Sequence, residues 1–126
     1  MNVIIFARGY NIQGQIEYCK EYSEKKGYTV AGVIVGQGRE LTEVISGLGM
    51  NIDRVIVRGM SRISRNMIES CTIQTDLENI CGVLVEDATG NPHDDSEQRF
   101  IKNLIAAIRE NDTRERIKMS LLEDEI

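Results

Sequence analysis

Apolar and polar residues fall along this chain in blocks whose period keeps changing. Val3-Ile4-Ile5-Phe6 is an unbroken apolar run, the signature of a strand covered on both faces. Ile12, Ile16 and Cys19 then recur at helical spacing, and the polar face carries Glu17, Lys20, Glu21 and Glu24. Lys25-Lys26-Gly27 reads as the end of that helix, with cations at the negative end of its dipole and a glycine as the stop. Tyr28 to Val35 reads as a second strand. Leu41, Val44, Ile45 and Leu48 mark one face of a short helix closed by Gly47 or Gly49. Arg54-Val-Ile-Val-Arg58 is a third buried strand, and Asn66 to Ile80 is a helix with Ile73, Leu77 and Ile80 at i, i+4 and i+7. Cys81 to Glu86 is a fourth strand. This alternation predicts an α/β fold: a mainly parallel, four- to five-stranded sheet with helices on both faces. Ligands of such sheets bind beyond the carboxyl ends of the strands.

After Glu86 the pattern changes. Ala88 to Asp95 is a polar loop holding the only proline and the only histidine. Ser96 is a plausible N-cap for a long last helix over about 96–122. Its apolar stripe of Phe100, Ile101, Leu104, Ile105 and Ile108 is interrupted by eight polar residues, Arg109 to Arg116, and resumes at Ile117, Leu121 and Leu122. The end, Glu123-Asp124-Glu125, is acidic. We read one domain over 1–126, with a core over 1–90, no internal repeat and no linker.

Length and composition narrow the class. A chain of 126 residues fits one domain that needs no covalent staple. No apolar run approaches the ~20 residues that span a membrane, and Met1 to Phe6 lack the basic start of a signal peptide. Cys19, Cys71 and Cys81 are odd in number and lack C-x-x-C spacing, so buried thiols in a reducing, cytoplasmic setting are expected rather than disulfides or zinc. The net charge of −5 and pI near 4.9 argue against coating nucleic acid through bulk charge, but leave room for a local basic patch. His93 stands in a polar loop without convergent partners, so it reads as solvated and no metal is expected. The glycines form neither G-x-G-x-x-G nor a P-loop, and no cofactor is implied.

The candidate chemistry lies in arginines placed just after strands. Arg8 follows the first strand, Arg39 the second, and Arg62 and Arg65 the third. A guanidinium is permanently charged and forks onto phosphate oxygens, so several at one rim suit phosphate binding or stabilisation of phosphoryl transfer. The bland alternative is that they are solvated surface charges.

Ser61-Arg-Ile-Ser-Arg-Asn66 after a buried strand resembles the D-R-L-[GS]-R-[ND] motif of serine recombinases, the resolvase and invertase family. Phe6-Ala-Arg8 resembles their Y-A-R-V-S opening. Gln15-Ile-Glu-x-Cys-Lys-Glu-Tyr, leading to Lys26-Gly-Tyr-x-Val, resembles the first helix and second strand. Leu104-Ile-Ala-Ala-Ile108 resembles the start of the helix through which those enzymes dimerise. The resemblance implies a resolvase-like catalytic domain acting on DNA, in which a serine hydroxyl attacks the scissile phosphate and arginines hold it. Arg8, Arg62 and Arg65 match motif arginines, and Arg39 matches a further phosphate-binding one more loosely. It also implies a homodimer through the last helix, or pairing with a full-length recombinase.

The departures bear on activity. The position of the nucleophilic serine, two after Arg8, holds Tyr10, and the loop Gly9 to Gly14 is short. The motif aspartate is Ser61, and the Glu-Arg expected in the last helix aligns with Asp112-Thr113. No helix-turn-helix domain is expected to follow. Tyr10 is a candidate nucleophile, since phenols attack phosphodiesters in other recombinases and topoisomerases. A phenol oxygen nonetheless lies several ångströms further from its backbone than a serine oxygen, and misplacement by ~1 Å can cost on the order of a hundredfold in rate. The expected protein is therefore a degenerate recombinase domain, with Tyr10 a packed or rim residue, and Ser61 and Ser64 as caps of the helix near Asn66. A receiver-like or flavodoxin-like binding module is the third reading; a receiver needs clustered acids after the first strand, where this chain has Arg8.

Overall fold

The unbroken apolar run becomes β1 (Asn2–Ala7), buried from Val3 to Ala7 because it has a neighbour on each side and helices on both faces. The computed structural model describes residues 1–90 and 99–109. After β1 come α1 (Ile12–Lys26), β2 (Thr29–Val35), a 3₁₀ turn (Gly38–Glu40), α2 (Leu41–Gly47) and β3 (Arg54–Val57). A second 3₁₀ turn (Met60–Arg62), α3 (Met67–Asp76), a π turn (Leu77–Cys81) and β4 (Leu84–Asp87) follow. Residues 99–109 form a further helix, α4.

The described residues give a four-stranded sheet of order β2-β1-β3-β4, parallel throughout. The chain moves one way from β1 to β2 and then crosses back over β1 to β3. Right-handed crossovers therefore put α1 on one face and α2 and α3 on the other. Two cores result. Val3, Ile5 and Ile56 meet Cys19 and Tyr22 of α1. Ile4, Phe6, Val55 and Val57 meet Leu41 and Ile45 of α2, Ile73 of α3 and Leu77 of the π turn. The alternation along β1 reflects the two-residue period of a strand. β2 keeps one neighbour, and its pairing with β1 slips between Val3 and Ile4, leaving Ala31 as an extra residue.

Several local expectations change. The buried line of α1 is Gln15, Cys19 and Ser23, with Ile12 and Ile16 only half-buried beside it. Asn66 caps α3, its side chain accepting from the Ile68 and Glu69 amides. Ser64 Oγ accepts only the Asn66 N–H, and Ser61 makes no such cap bond. The helix after Asn66 does not run on regularly to Ile80. The π turn inserts an extra residue per turn, so Ile73 and Leu77 are buried while Ile80 is 66% exposed. Gly82, at φ 67°, ends that turn, so β4 begins at Leu84 rather than Cys81. α2 buries Leu41 and Ile45 and leaves Val44 partly exposed, as is Leu48 just beyond its end. Cys19 and Cys71 are buried and Cys81 half-buried.

Of the last helix, 99–109 is described. His93, the Ser96 cap, Asp112-Thr113, most of the polar stretch and the resumed stripe at Ile117, Leu121 and Leu122 lie outside the described residues. Within α4, Ile101 and Ile105 are half-buried, while Phe100, Leu104 and Ile108 are 67%, 49% and 52% exposed. Arg109 Nη1 donates to Asp76 Oδ1 at 2.6 Å, which sets α4 beside α3.

Candidate active site

The strand order reverses between β1 and β3, so their carboxyl ends flank the crevice where ligands of this architecture bind. Arg8 leaves β1 at that point, and Gly59 to Arg62 leave β3. The two arginines interlock. Arg8 Nε donates to the Arg62 carbonyl at 2.7 Å, and Arg8 Nη2 to the Ser61 carbonyl at 2.8 Å. In return Arg62 Nη1 donates to the Arg8 carbonyl at 3.3 Å. The Arg62 Nε–H is buried and has no hydrogen-bond partner. Neither guanidinium forms a salt bridge among the described residues. Two permanent cations are thus held together by neutral carbonyls, which makes this crevice locally positive although the whole chain is acidic.

A residue that the sequence pattern did not single out sets the β1–α1 turn. Gln15 is 1% exposed. Its Oε1 accepts the Arg8 N–H at 3.1 Å, and its Nε2 donates to the Arg8 carbonyl at 3.0 Å and the Tyr10 carbonyl at 2.6 Å. A buried amide with all these partners satisfied fixes the backbone on both sides of Gly9, whose φ of 81° favours glycine. The available signal was a glutamine four residues before buried Cys19, in the middle of the helix's inward line. Asn11, at φ 55°, then caps α1 by accepting the Gly14 N–H.

Tyr10 is on the rim and 86% exposed, not packed. Its side chain makes no hydrogen bond among the described residues, although Gln15 holds its carbonyl. Arg65 lies further along the loop of Arg62, beside a shallow hollow lined by Ser61, Ser64, Met67 and Ser70. Arg39 lines a separate hollow with Asn66, Glu69 and Asp76, between α2 and α3. Its loop is pressed onto that of Arg62: a Cβ on buried Gly38 would lie 1.9 Å from the Ile63 carbonyl oxygen. The structure therefore brings Arg8 and Arg62 into direct contact, with Arg65 further along the Arg62 loop and Arg39 in the separate hollow between α2 and α3.

The face toward α1 holds different chemistry. Arg58 lies over the Tyr18 ring at 4.6 Å, a cation–π contact. Burial, reinforced by the Asp87 charge and opposed by Arg58, pushes the Cys19 thiol up to about 11. That keeps it protonated and unreactive near neutral pH. Among the described residues no group of three or more His, Cys, Asp or Glu could hold a metal, and no helix is long and apolar enough to cross a membrane.

The described residues thus form a parallel α/β domain with an interlocked arginine pair at its switch point. The resolvase N-terminal domain family matches residues 7–123, and the chain belongs to it. Three solved structures share the fold. The C-terminal catalytic domain of ISC1926 TnpA, an IS607-like serine recombinase, is 23% identical, with a TM-score of 0.59 over 86% of this chain and 81% of that one. The N-terminal catalytic domain of TP901-1 integrase is 17% identical, with a TM-score of 0.64 over 90% and 98%. A resolvase family site-specific recombinase from Streptococcus pneumoniae is 15% identical, with a TM-score of 0.69 over 100% and 99%. No protein of curated function matches the chain.

Proposed function

We propose that this resolvase-family domain grips a DNA phosphate with Arg8 and Arg62, aided by Arg65 on the same loop and, from its separate hollow, by Arg39, without cleaving the strand. The observation that carries the reading is the pair itself: interlocked cations at the switch point, one with a buried, unpartnered Nε–H. The lack of cleavage rests on Tyr10. It stands where the family resemblance places a serine, and its side chain extends into solvent without a hydrogen bond to either arginine. Binding by the domain alone is weak, because most DNA affinity comes from neutralising many phosphates and the chain carries −5 overall. The domain then acts as a dimerising regulatory module, beside a full-length recombinase or within a mobile element.

A DNA duplex carrying a suicide nick tests this reading, because it traps any covalent protein–DNA link. No adduct is expected at any protein concentration. An adduct that disappears in Tyr10→Phe would overturn the reading in favour of an enzyme with a tyrosine nucleophile.

The partner is a second copy, joined through α4. Phe100, Leu104 and Ile108 recur at i, i+4 and i+8 and form an exposed apolar stripe. Sedimentation is expected to show a dimer that Leu104→Asp converts to a monomer. A wild-type chain that stays monomeric at high concentration would remove this interface.

A further inference from the structure

We propose that Asp87 is a positioning residue for the arginine pair, acting through the backbone of Gly59; the inference rests on reading that pair as a phosphate grip. Asp87 ends β4 and is 4% exposed. A carboxylate so buried needs hydrogen-bond partners. Its Oδ1 accepts from the Thr89 amide at 2.8 Å, the Thr89 hydroxyl at 2.7 Å and the Gly59 amide at 2.9 Å. The two bonds to Thr89 are a local turn of the kind aspartate commonly makes. The bond to Gly59 is different, because it joins residues 28 apart in sequence.

That bond lies where the sheet's own hydrogen bonding stops. The last backbone bond between the β3 and β4 segments runs from the Ala88 amide to the Val57 carbonyl at 2.8 Å. The Asp87 carboxylate adds one more rung beyond it, at Gly59, the second residue after β3 and the residue that opens the turn carrying Arg62. Gly59 has φ 91° and ψ 136°, a conformation that L side chains rarely adopt. The loop therefore leaves the strand at an angle set by this residue. From Gly59 to Ile63 the chain is a closed 3₁₀ turn, with the Arg62 amide bonded to the Gly59 carbonyl and the Ile63 amide to the Met60 carbonyl, each at 3.1 Å. A displacement at Gly59 is thus carried to the Ser61 and Arg62 carbonyls, the acceptors of Arg8, and to the Arg62 side chain. Aspartate spans the gap from β4 to Gly59; serine is too short, and glutamate is one methylene too long.

The Nε–H resonances of Arg8 and Arg62, read by NMR in the whole chain, test the inference. In the wild type the Arg8 Nε–H is held by the Arg62 carbonyl and exchanges slowly with water. Asp87→Ser keeps the turn to Thr89 but loses Gly59, and is expected to speed Arg8 Nε–H exchange about tenfold. It should raise the inorganic phosphate concentration that half-shifts the Arg62 Nε–H by about tenfold. Asp87→Asn keeps an oxygen at the same reach and is expected to restore both readings, and Thr89→Val to leave them within about twofold of wild type. Should Asp87→Ser not fold, Asp87→Glu, which retains charge and acceptor but pushes the loop, is expected to weaken the phosphate response about fivefold. Unchanged Arg8 exchange in Asp87→Ser or, where that variant does not fold, an unchanged phosphate response in Asp87→Glu overturns the inference. Asp87→Asn as damaged as Asp87→Ser does the same. If phosphate moves neither resonance in the wild type, the phosphate reading fails, while Arg8 exchange still decides the role of Asp87.

Discussion

Gly38→Ala is expected to destabilise the domain by about 3 kcal/mol, the upper end of what overpacking usually costs, and to lower its melting temperature by about 10 °C. The added Cβ would lie 1.9 Å from the Ile63 carbonyl oxygen and 2.9 Å from its carbonyl carbon. Both are backbone atoms, so no rotamer change relieves the contact. Ile63 is 1% exposed and belongs to the core beneath α2 and α3, so it has little room to retreat. The stiffer unfolded chain of an alanine variant offsets about 0.4–1 kcal/mol, too little to change the sign. Gly47→Ala is the control: Gly47 closes α2 with nothing within 4 Å of its added Cβ, and the change is expected to be neutral or to stabilise by up to about 1 kcal/mol. Thermal melts of the two variants decide the matter. A Gly38→Ala melting point within a degree of wild type would mean the two loops are not pressed together.

Arg62→Ala is expected to weaken binding to a fluorescent DNA duplex at low salt by about tenfold, the scale of one charge-assisted, forked contact. The slope of log affinity against log salt should also fall by about one phosphate contact. Arg62→Lys is expected to recover little, because one ammonium cannot hold the Arg8 carbonyl and fork onto phosphate oxygens together. Arg8→Ala should both weaken binding and destabilise, since it leaves the Ser61 and Arg62 carbonyls without their donor. Arg58→Ala removes the same unit of charge from a guanidinium that lies over Tyr18, and serves as the charge-matched control. Anisotropy titrations at several salt concentrations separate the cases. Equal losses in Arg58→Ala and Arg62→Ala would reduce the pair to bulk charge.

The parts of this architecture that were legible in the sequence are those set by long-period burial. Val3 to Phe6 could only be a doubly covered strand, and strands alternating with helices leave few topologies once connections must be right-handed. The placing of Arg8 after the first strand and Arg62 after the third followed from the same order, while their adjacency came only with the sheet order. What could not be read depends on single hydrogen bonds or single torsions. The π turn at Leu77–Cys81 leaves no trace in hydrophobic spacing, and it moved Ile80 outward. Gln15 looks like an ordinary polar residue until the Arg8 and Tyr10 backbone folds over it. Arg39 follows a strand as Arg8 does, yet the compact turn after Gly38 sends it to the hollow beside α3.

The slip between β1 and β2 bears on how molecules of this domain behave when crowded together. β2 is an outer strand of the described sheet, with Val33 39% and Val35 58% exposed. A straight apolar edge of that kind is a template for strand addition by another chain. The extra residue at Ala31 twists the strand locally, so a straight neighbour cannot stay in register along its whole length. Removing the bulge would keep the fold's pairing with β1 and give up this guard against aggregation.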